Sequence, residues 1–335
     1  MGNDEKKQMN LLAANNRINA SKTYGIGLFL GFLLFFSLPF LVQSNHYILQ
    51  VFTHALLLAS LALAWNLLGA SGSISLGHAA FFGAGAYGSA LLGLNLGLSS
   101  WLTIPLAGFI AMGLGLMMGV ICLRLRGAYF ALATLAFVEI PWVITDNWDA
   151  LTRGSLGLVG ISGLPSLNMR SGHVDFGSGI ISSYYFVFAY FVILLGLVAL
   201  VFRSNIGLAL QAIREEEVAA EAVGIPVNRY RMLSLLLSAF FTGVCGACYA
   251  HLVRYIEPGL VYGLHFSAVP MIFAICGGRF TILGPAIAAM VLYPMDQFVF
   301  HPLLPAGHEF LYGAVLILTV LFMPNGFWGR FQNTS

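Results

Sequence analysis

Apolar residues are gathered into long runs that short polar segments separate along most of the chain. Most runs are about 18 residues or longer, enough for a helix to cross a hydrocarbon core of about 30 Å. This pattern predicts an all-α, polytopic integral membrane protein of about ten transmembrane or re-entrant helices. The predicted spans are 25–43, 48–68, 73–94, 101–123, 128–145, 184–202, 231–253, 263–278, 281–299 and 309–323. The glycine-rich runs 73–94 and 263–278 fit either a full span or a broken, re-entrant helix.

The domain organisation follows from the same pattern. A polar N-terminal tail, 1–24, precedes a transmembrane domain over 25–325, and a short tail, 326–335, ends the chain. Only 8% of the residues are charged, against about 25% in soluble domains. This low share excludes a soluble globular protein.

The basic residues predict the orientation of the spans. With the N-terminus inside, ten spans place 12 of the 15 Lys and Arg residues in cytoplasmic segments. Only Arg153, Arg170 and Arg254 fall outside. The positive-inside rule therefore predicts that both termini are cytoplasmic.

The run SGSISLGHAAFFGAGAYGSALL, residues 71–92, is rich in glycine and alanine. Its central small residues include Ala80, Gly83, Ala84, Gly85 and Gly88. Three of them, at 80, 84 and 88, share one helix face, and the glycines at 83 and 85 widen it. Small residues let helix backbones approach closely in lipid, where hydrophobic burial contributes little to association. We expect this face, at Ala84 and Gly88, to pack tightly beside a path that opens and closes.

Two ionisable side chains fall inside predicted spans, where such a group is costly unless it faces a partner or water. His78 is either a packed histidine that bonds a neighbouring helix or part of a translocation path or gate. Glu139 either has a structural partner or contacts the substrate. The candidates for the path or its gate are His78, Gly83, Gly85, Gly88 and Glu139.

Two longer polar segments interrupt the apolar runs. Residues 146–183 lie outside on the predicted topology and form either a functional, partner-facing loop or a flexible connector. Residues 203–230 lie inside, where Ser204 or Asn205 is suited to cap a helix that ends at Gly224, before Pro226. We expect one short cytoplasmic helix over about 205–225.

This predicted helix carries both apolar and acidic side chains. Its apolar strip is Leu208, Ala212, Ala219 and Val223, and its acidic residues are Glu215, Glu216, Glu217 and Glu221. By itself this composition is typical of a solvated surface helix. However, VAAEAVG, residues 218–224, resembles the cytoplasmic loop that permeases of ABC importers insert into a groove of their ATPase. That motif is Glu-Ala-Ala, three residues and Gly, and here Val218 stands in place of the glutamate.

Further segments resemble one narrower family, the LivM-like permease subunits of branched-chain amino acid ABC transporters. They are SISLGHAAFFGAGAY (73–87), LRLRGAYFALATLAFVEI (123–140), AIREEEVAAEAVGIPVNRYRMLSLLLSAFFTGVCGACYA (212–250) and GGRFTILGPAIAA (277–289). The resemblance implies a bacterial cytoplasmic (inner) membrane protein that pairs with a second permease subunit. It also implies two cytoplasmic ATPase subunits and an extracytoplasmic solute-binding protein as partners. The ATPase-docking residues that it implies are Glu217, Ala219, Ala220, Glu221 and Gly224.

The chain has no ATP-binding motif of its own. The phosphate-binding loop GxxxxGK[ST] requires a Gly-Lys pair, and none of the three lysines, Lys6, Lys7 and Lys22, follows a glycine. We therefore expect a transport subunit that is not an enzyme, holds no cofactor or metal and binds no nucleic acid, with ATP bound by the partner ATPases. The resemblance implies a branched-chain amino acid or a related small polar solute, such as urea, an amide or a small carboxylate, as cargo. The alternative is an ion-coupled secondary transporter or a channel, for which Glu139 is the one candidate relay group.

Overall fold

A computed structural model describes residues 31–42, 45–169, 172–177, 179–305, 307–322 and 326. In chain order the helices are α1 (Gly31–Leu41), α2 (His46–Gly69), α3 (His78–Leu96), α4 (Ser100–Cys122), α5 (Ala128–Asn147), α6 (Asp149–Thr152), α7 (Ile180–Arg203), α8 (Asn205–Glu215), α9 (Glu217–Ala222), α10 (Val227–Val253), α11 (Pro258–Val261), α12 (His265–Gly277), α13 (Gly284–Met295), α14 (His301–Leu303) and α15 (His308–Phe322). A 3-10 turn covers Gly154–Leu156, and a π turn, Asp296–Phe300, extends α13.

Seven helical segments of the described chain are long and apolar enough to cross a membrane. They are α2, α3, α4, α5, α7, α10 and the pair α11–α12, which counts as one segment. The predicted all-α, polytopic membrane fold is confirmed. Because α1, α13 and α15 are shorter in the described chain, the count of ten spans stays a prediction, and the tails 1–24 and 327–335 lie outside the described residues.

Helix α2 lies in the centre of the bundle. All residues from 55 to 70 are buried, which suits a helix that is apolar on every side. It packs against α7, α10, α12 and α13. Within it, the Asn66 side-chain N–H donates a hydrogen bond to the Thr281 carbonyl oxygen (2.8 Å).

Helices α3, α4 and α10 form a second tightly packed group. Their closest crossing involves glycines, because a Cβ built on Gly85 would lie 2.1 Å from the Gly243 carbonyl oxygen. A Cβ on Gly246 would lie 2.0 Å from the Phe82 carbonyl oxygen. The backbones of α3 and α10 are therefore in direct contact.

The connections between helices gather at two ends of the bundle. At the end that holds α8 and α9, which we call the α8–α9 end, the Arg214 guanidinium lies 4.0 Å from the Phe280 ring centroid. Arg126, between α4 and α5, also lies there, where it pairs with Glu217. Most described arginines lie at this end, while Arg153 and Arg254 lie at the opposite end.

The opposite end carries four short strands that the sequence did not predict. They are β1 (Leu158–Val159), β2 (Ser166–Met169), β3 (Gly172–Asp175) and β4 (Tyr255–Ile256). β2 and β3 form an antiparallel hairpin, and β1 pairs antiparallel with β4, with Leu158 opposite Ile256. Since β4 directly follows α10, this pairing ties the polar segment 146–183 to the end of that helix.

Candidate functional site

The segment predicted as one cytoplasmic helix consists of two helices joined at Glu216. The Ser204 hydroxyl caps α8 by accepting a hydrogen bond from the Ile206 N–H (3.2 Å). At Glu216 the backbone is extended (φ −157°, ψ 108°), and α9 begins at the next residue. The prediction of a single helix over 205–225 was therefore wrong. The break lets Glu217 reach Arg231 and Arg126, which lie outside the segment.

Helix α9 ends in a Schellman motif centred on Gly224. This glycine has φ +90°, a left-handed conformation that side chains with a Cβ rarely adopt. Its N–H donates to the Glu221 carbonyl oxygen (2.9 Å), and the Ile225 N–H donates to that of Ala220 (3.0 Å). The turn returns the chain toward α10 and fixes the orientation of α9.

The outer surface of α8 and α9 combines exposed apolar and acidic side chains. We call it the α8–α9 surface and define it by seven of the exposed residues of this segment: Leu208, Val218, Ala219, Glu221, Ala222, Val223 and Gly224. Ala220 lies beneath it, buried in a small core with Ile213 and Val227. Ala219, Glu221 and Gly224 are thus on the surface, whereas Ala220 supports it from inside.

Glu217 also points inward, away from the α8–α9 surface. Its carboxylate accepts two hydrogen bonds from the Arg231 guanidinium, each 3.0 Å long. The same carboxylate lies 3.2 Å from Nη2 of Arg126. Of the predicted docking residues, Glu217 is therefore the one engaged in an internal ion-pair network.

A second cluster of positive charge supports α8 from the side. Arg214 and Arg279 lie 4.0 Å and 4.5 Å from the centroid of the Phe280 ring. Burial, and secondarily the charge of Arg214, lowers the pKa of Arg279 from its ordinary value. The aromatic face offsets part of the repulsion between the two guanidinium groups.

Polar side chains satisfy the backbone where α3 begins. The N–H of Gly77 donates to the Ser75 hydroxyl (3.1 Å), and that of Ala79 donates to the Ser267 hydroxyl (2.8 Å). His78 is fully buried, with its Nε2 2.8 Å from the Ser238 hydroxyl oxygen on α10. His78 is thus a packed histidine that bonds a neighbouring helix, the first of the two alternatives that the sequence left open. Its role in a translocation path or gate stays a prediction.

The three candidate glycines of α3 face different neighbours. Gly85 contacts the α10 backbone, and a Cβ on Gly83 would lie 2.3 Å from the Tyr262 ring. Gly88 is half-buried, and a Cβ there would meet the end of the Ile110 side chain on α4 at 2.8 Å. The close backbone approach expected at Ala84 and Gly88 was therefore placed wrongly, because it lies at Gly85, opposite a glycine of α10.

Glu139 lies on an exposed face of α5, well inside the helix. It makes no hydrogen bond or ion pair with the part of the chain that the structure describes. Its neighbours on that face are the exposed residues Leu132, Ala136, Ile140 and Val143. An ionised carboxylate that faces lipid at this depth is costly, so this face is not suited to lipid.

A family model described as "Branched-chain amino acid transport system / permease component" matches residues 47–320. The chain belongs to this permease family. The permease is 30% identical over 309 residues to the high-affinity branched-chain amino acid transport system permease protein LivM of Salmonella typhimurium and to LivM of Escherichia coli. Each alignment covers 86% of this chain and 71% of the relative.

A further relative is the autoinducer 2 import system permease protein LsrC of an Enterobacter species. It is 25% identical to the permease over 241 residues, covering 69% of this chain and 66% of the relative. The named relatives are thus permease components of transport systems for different solutes.

At the opposite end, the permease has a buried polar cluster that sequence reasoning missed. His251 Nε2 lies 2.7 Å from the Ser89 hydroxyl and 3.2 Å from the Thr103 hydroxyl, while its Nδ1 lies 2.7 Å from the Ser162 carbonyl oxygen. One histidine of α10 thus joins α3, α4 and the polar segment. The described residues contain no group of three or more His, Cys, Asp or Glu side chains placed to hold a metal ion.

Proposed function

We propose that the permease is the membrane-spanning subunit of an ABC importer in the bacterial cytoplasmic membrane and that the α8–α9 surface docks a separate ATPase. The observation that carries this proposal is the pairing of exposed apolar residues with a fixed turn, Gly224, at an end rich in arginine. Leu208 on α8, Val218 on α9 and Val223 at the end of α9 are all exposed, and an exposed apolar patch is typical of an interaction site. A groove with apolar walls and basic rims complements both these residues and Glu221.

The arginine-rich α8–α9 end faces the cytoplasm in this proposal. The collection of Arg126, Arg214, Arg231 and Arg279 there supports that orientation by the positive-inside rule. The opposite end, with its strands, then meets an extracytoplasmic solute-binding protein. Both chain termini lie on the cytoplasmic side.

A second membrane subunit completes the path in this proposal. The exposed face of α5 supports this arrangement, because Glu139 requires water or a polar partner. The cargo is a branched-chain amino acid or a related small polar solute. The names of the LivM relatives support a branched-chain amino acid as the cargo. The name of the LsrC relative supports other small solutes as alternatives.

The docking test uses a substitution on the α8–α9 surface with a matched control. Val223→Arg places charge in the proposed ATPase contact, whereas Val159→Arg makes the same change at an exposed site of the opposite end. Val223→Arg should abolish co-purification of the ATPase subunits and ATP-driven uptake of leucine into proteoliposomes, and Val159→Arg should preserve co-purification. Uptake by the purified wild-type permease alone, driven by a proton or sodium gradient, would establish the secondary-transporter alternative instead.

A further inference from the structure

Glu217 lies where three elements of the fold meet. It is the first residue of α9, Arg231 belongs to α10, and Arg126 belongs to the connection between α4 and α5. Both carboxylate oxygens bind Arg231, and Oε1 also lies 3.2 Å from Nη2 of Arg126. The carboxylate therefore links α9 to two separate parts of the membrane domain.

The two ion pairs differ in strength. The side chains of Arg231 and Glu217 are only 14% and 18% exposed, and their two parallel hydrogen bonds have the geometry of the strongest charge-assisted pairs. The Arg126 side chain is 69% exposed, so water and salt weaken its attraction to the carboxylate. Helix α9 is thus held firmly to α10 and loosely to the connection before α5.

The surroundings of the carboxylate leave room for movement. Cavities of about 180 Å³ and 480 Å³ adjoin the ion pairs, and both are lined by Leu123, Arg126, Glu217 and Arg231. Nε of Arg231 is buried and has no hydrogen-bond partner. A displaced Glu217 carboxylate would find a further donor there, so the pair can change its geometry without separating.

Each arginine connects Glu217 to an element of the membrane domain; α9 also packs on the start of α10 through Ala220 and Val227. Arg126 immediately precedes Gly127, whose φ of +57° marks a turn, and α5 with Glu139 follows directly. Arg231 lies one turn into α10, which packs against α3 and α4. A displacement of α9 therefore reaches both the exposed face of α5 and the tightly packed group.

We infer that Glu217 is a positioning residue that transmits movement of the docked ATPase from α9 to α10 through Arg231 and to α5 through Arg126. This inference rests on the proposed function. It removes Glu217 from the ATPase contact and assigns roles to two arginines outside the α8–α9 surface.

The test follows α5 directly in the complex of the permease with its co-purified ATPase subunits. Ile140→Cys places a thiol on the exposed face of α5, and the four native cysteines are buried. The labelling rate of this thiol with a water-soluble maleimide is measured with and without ATP. We expect ATP to change it at least about fivefold, the lower range of coupling between distant sites in proteins.

Three further variants are made in the Ile140→Cys background. Glu217→Gln and Arg126→Gln should retain the ATPase but lose the ATP-dependent change in labelling, because Arg126 is the link from Glu217 to α5. Arg229→Gln removes the same charge from another exposed position near the start of α10, so it should behave as the parent. A purely structural role would change the labelling rate of Glu217→Gln and Arg126→Gln even without ATP, whereas the inferred role leaves that rate near the rate of the parent.

The outcomes separate this inference from the proposed function. Absence of any co-purified ATPase from the wild-type chain would overturn the proposed function. With the ATPase present, an unchanged response in Glu217→Gln, or no ATP response in the parent, would overturn the inference alone. Loss of the ATPase from the Glu217→Gln complex would also overturn it, because the carboxylate would then belong to the docking contact.

Discussion

A methyl group at Gly85 is expected to force α3 and α10 apart. A Cβ at this position would lie 2.1 Å from the Gly243 carbonyl oxygen and 2.5 Å from its Cα. Ordinary contact begins at 3.4 Å, so the two backbones must separate by about 1.3 Å, the difference between these distances. Backbone atoms cannot rotate out of the way as the end of a side chain does.

The expected loss of stability follows from two opposing terms. Overpacking of a closely packed contact costs about 1–3 kcal/mol, and the higher helix propensity of alanine offsets about 1 kcal/mol. Gly85→Ala should therefore lower the free energy of unfolding by up to about 2 kcal/mol. Gly88→Ala is the control, because its Cβ meets only the flexible end of Ile110, and we expect a change below about 1 kcal/mol.

The measurement is reversible unfolding of the purified permease in mixed micelles with increasing dodecyl sulfate, followed by circular dichroism. ATP-driven transport in proteoliposomes provides a second comparison of Gly85→Ala with Gly88→Ala. Equal stability of the two variants, or a larger loss for Gly88→Ala, would refute the assignment of the backbone contact to Gly85.

Gly224→Ala should lower the stability of the α9 turn by about 1 kcal/mol, since alanine is strained in the left-handed region. The amide hydrogens of α9 should then exchange faster in Gly224→Ala than in the control Gly113→Ala, where the added Cβ meets open space. Ala220→Arg should disorder α8 and α9 because it places charge in their small core, and an intact hydrogen-exchange pattern would contradict the burial of Ala220. His251→Ala should speed proteolysis of the polar segment that follows α5, whereas His54→Ala, which removes a bond only to the Gln50 carbonyl of its own helix, should leave the rate unchanged.

The membrane spans were predictable from the sequence for a physical reason. A chain in lipid must satisfy its backbone hydrogen bonds internally, so every span requires a long apolar helix whose length is visible in the sequence. The end of α9 at Gly224 was equally accessible, because glycine before Ile-Pro is a local stop signal. Both features depend on residues that are neighbours in sequence.

The features that sequence analysis misplaced depend on residues from other elements. The α3–α10 contact lies at Gly85 because Gly243 opposes it, and the four-residue spacing of Ala84 and Gly88 carries no information about α10. Glu217 turns inward because Arg231 binds it, while its neighbours Glu215 and Glu216 look identical in sequence. His251 stands near the end of an apolar run, and its partners come from three separate segments.

Helix α10 is fixed at both ends, with consequences for communication across the membrane. Its 27 residues contain no proline and span about 40 Å at 1.5 Å per residue. Arg231 anchors one end to α9, and His251 with β4 anchors the other to the polar segment. A stiff rod held in this way relays axial displacement instead of absorbing it. Thermodynamic reciprocity then requires that a ligand bound near β4 alter affinity at the α8–α9 surface by the same factor as the reverse.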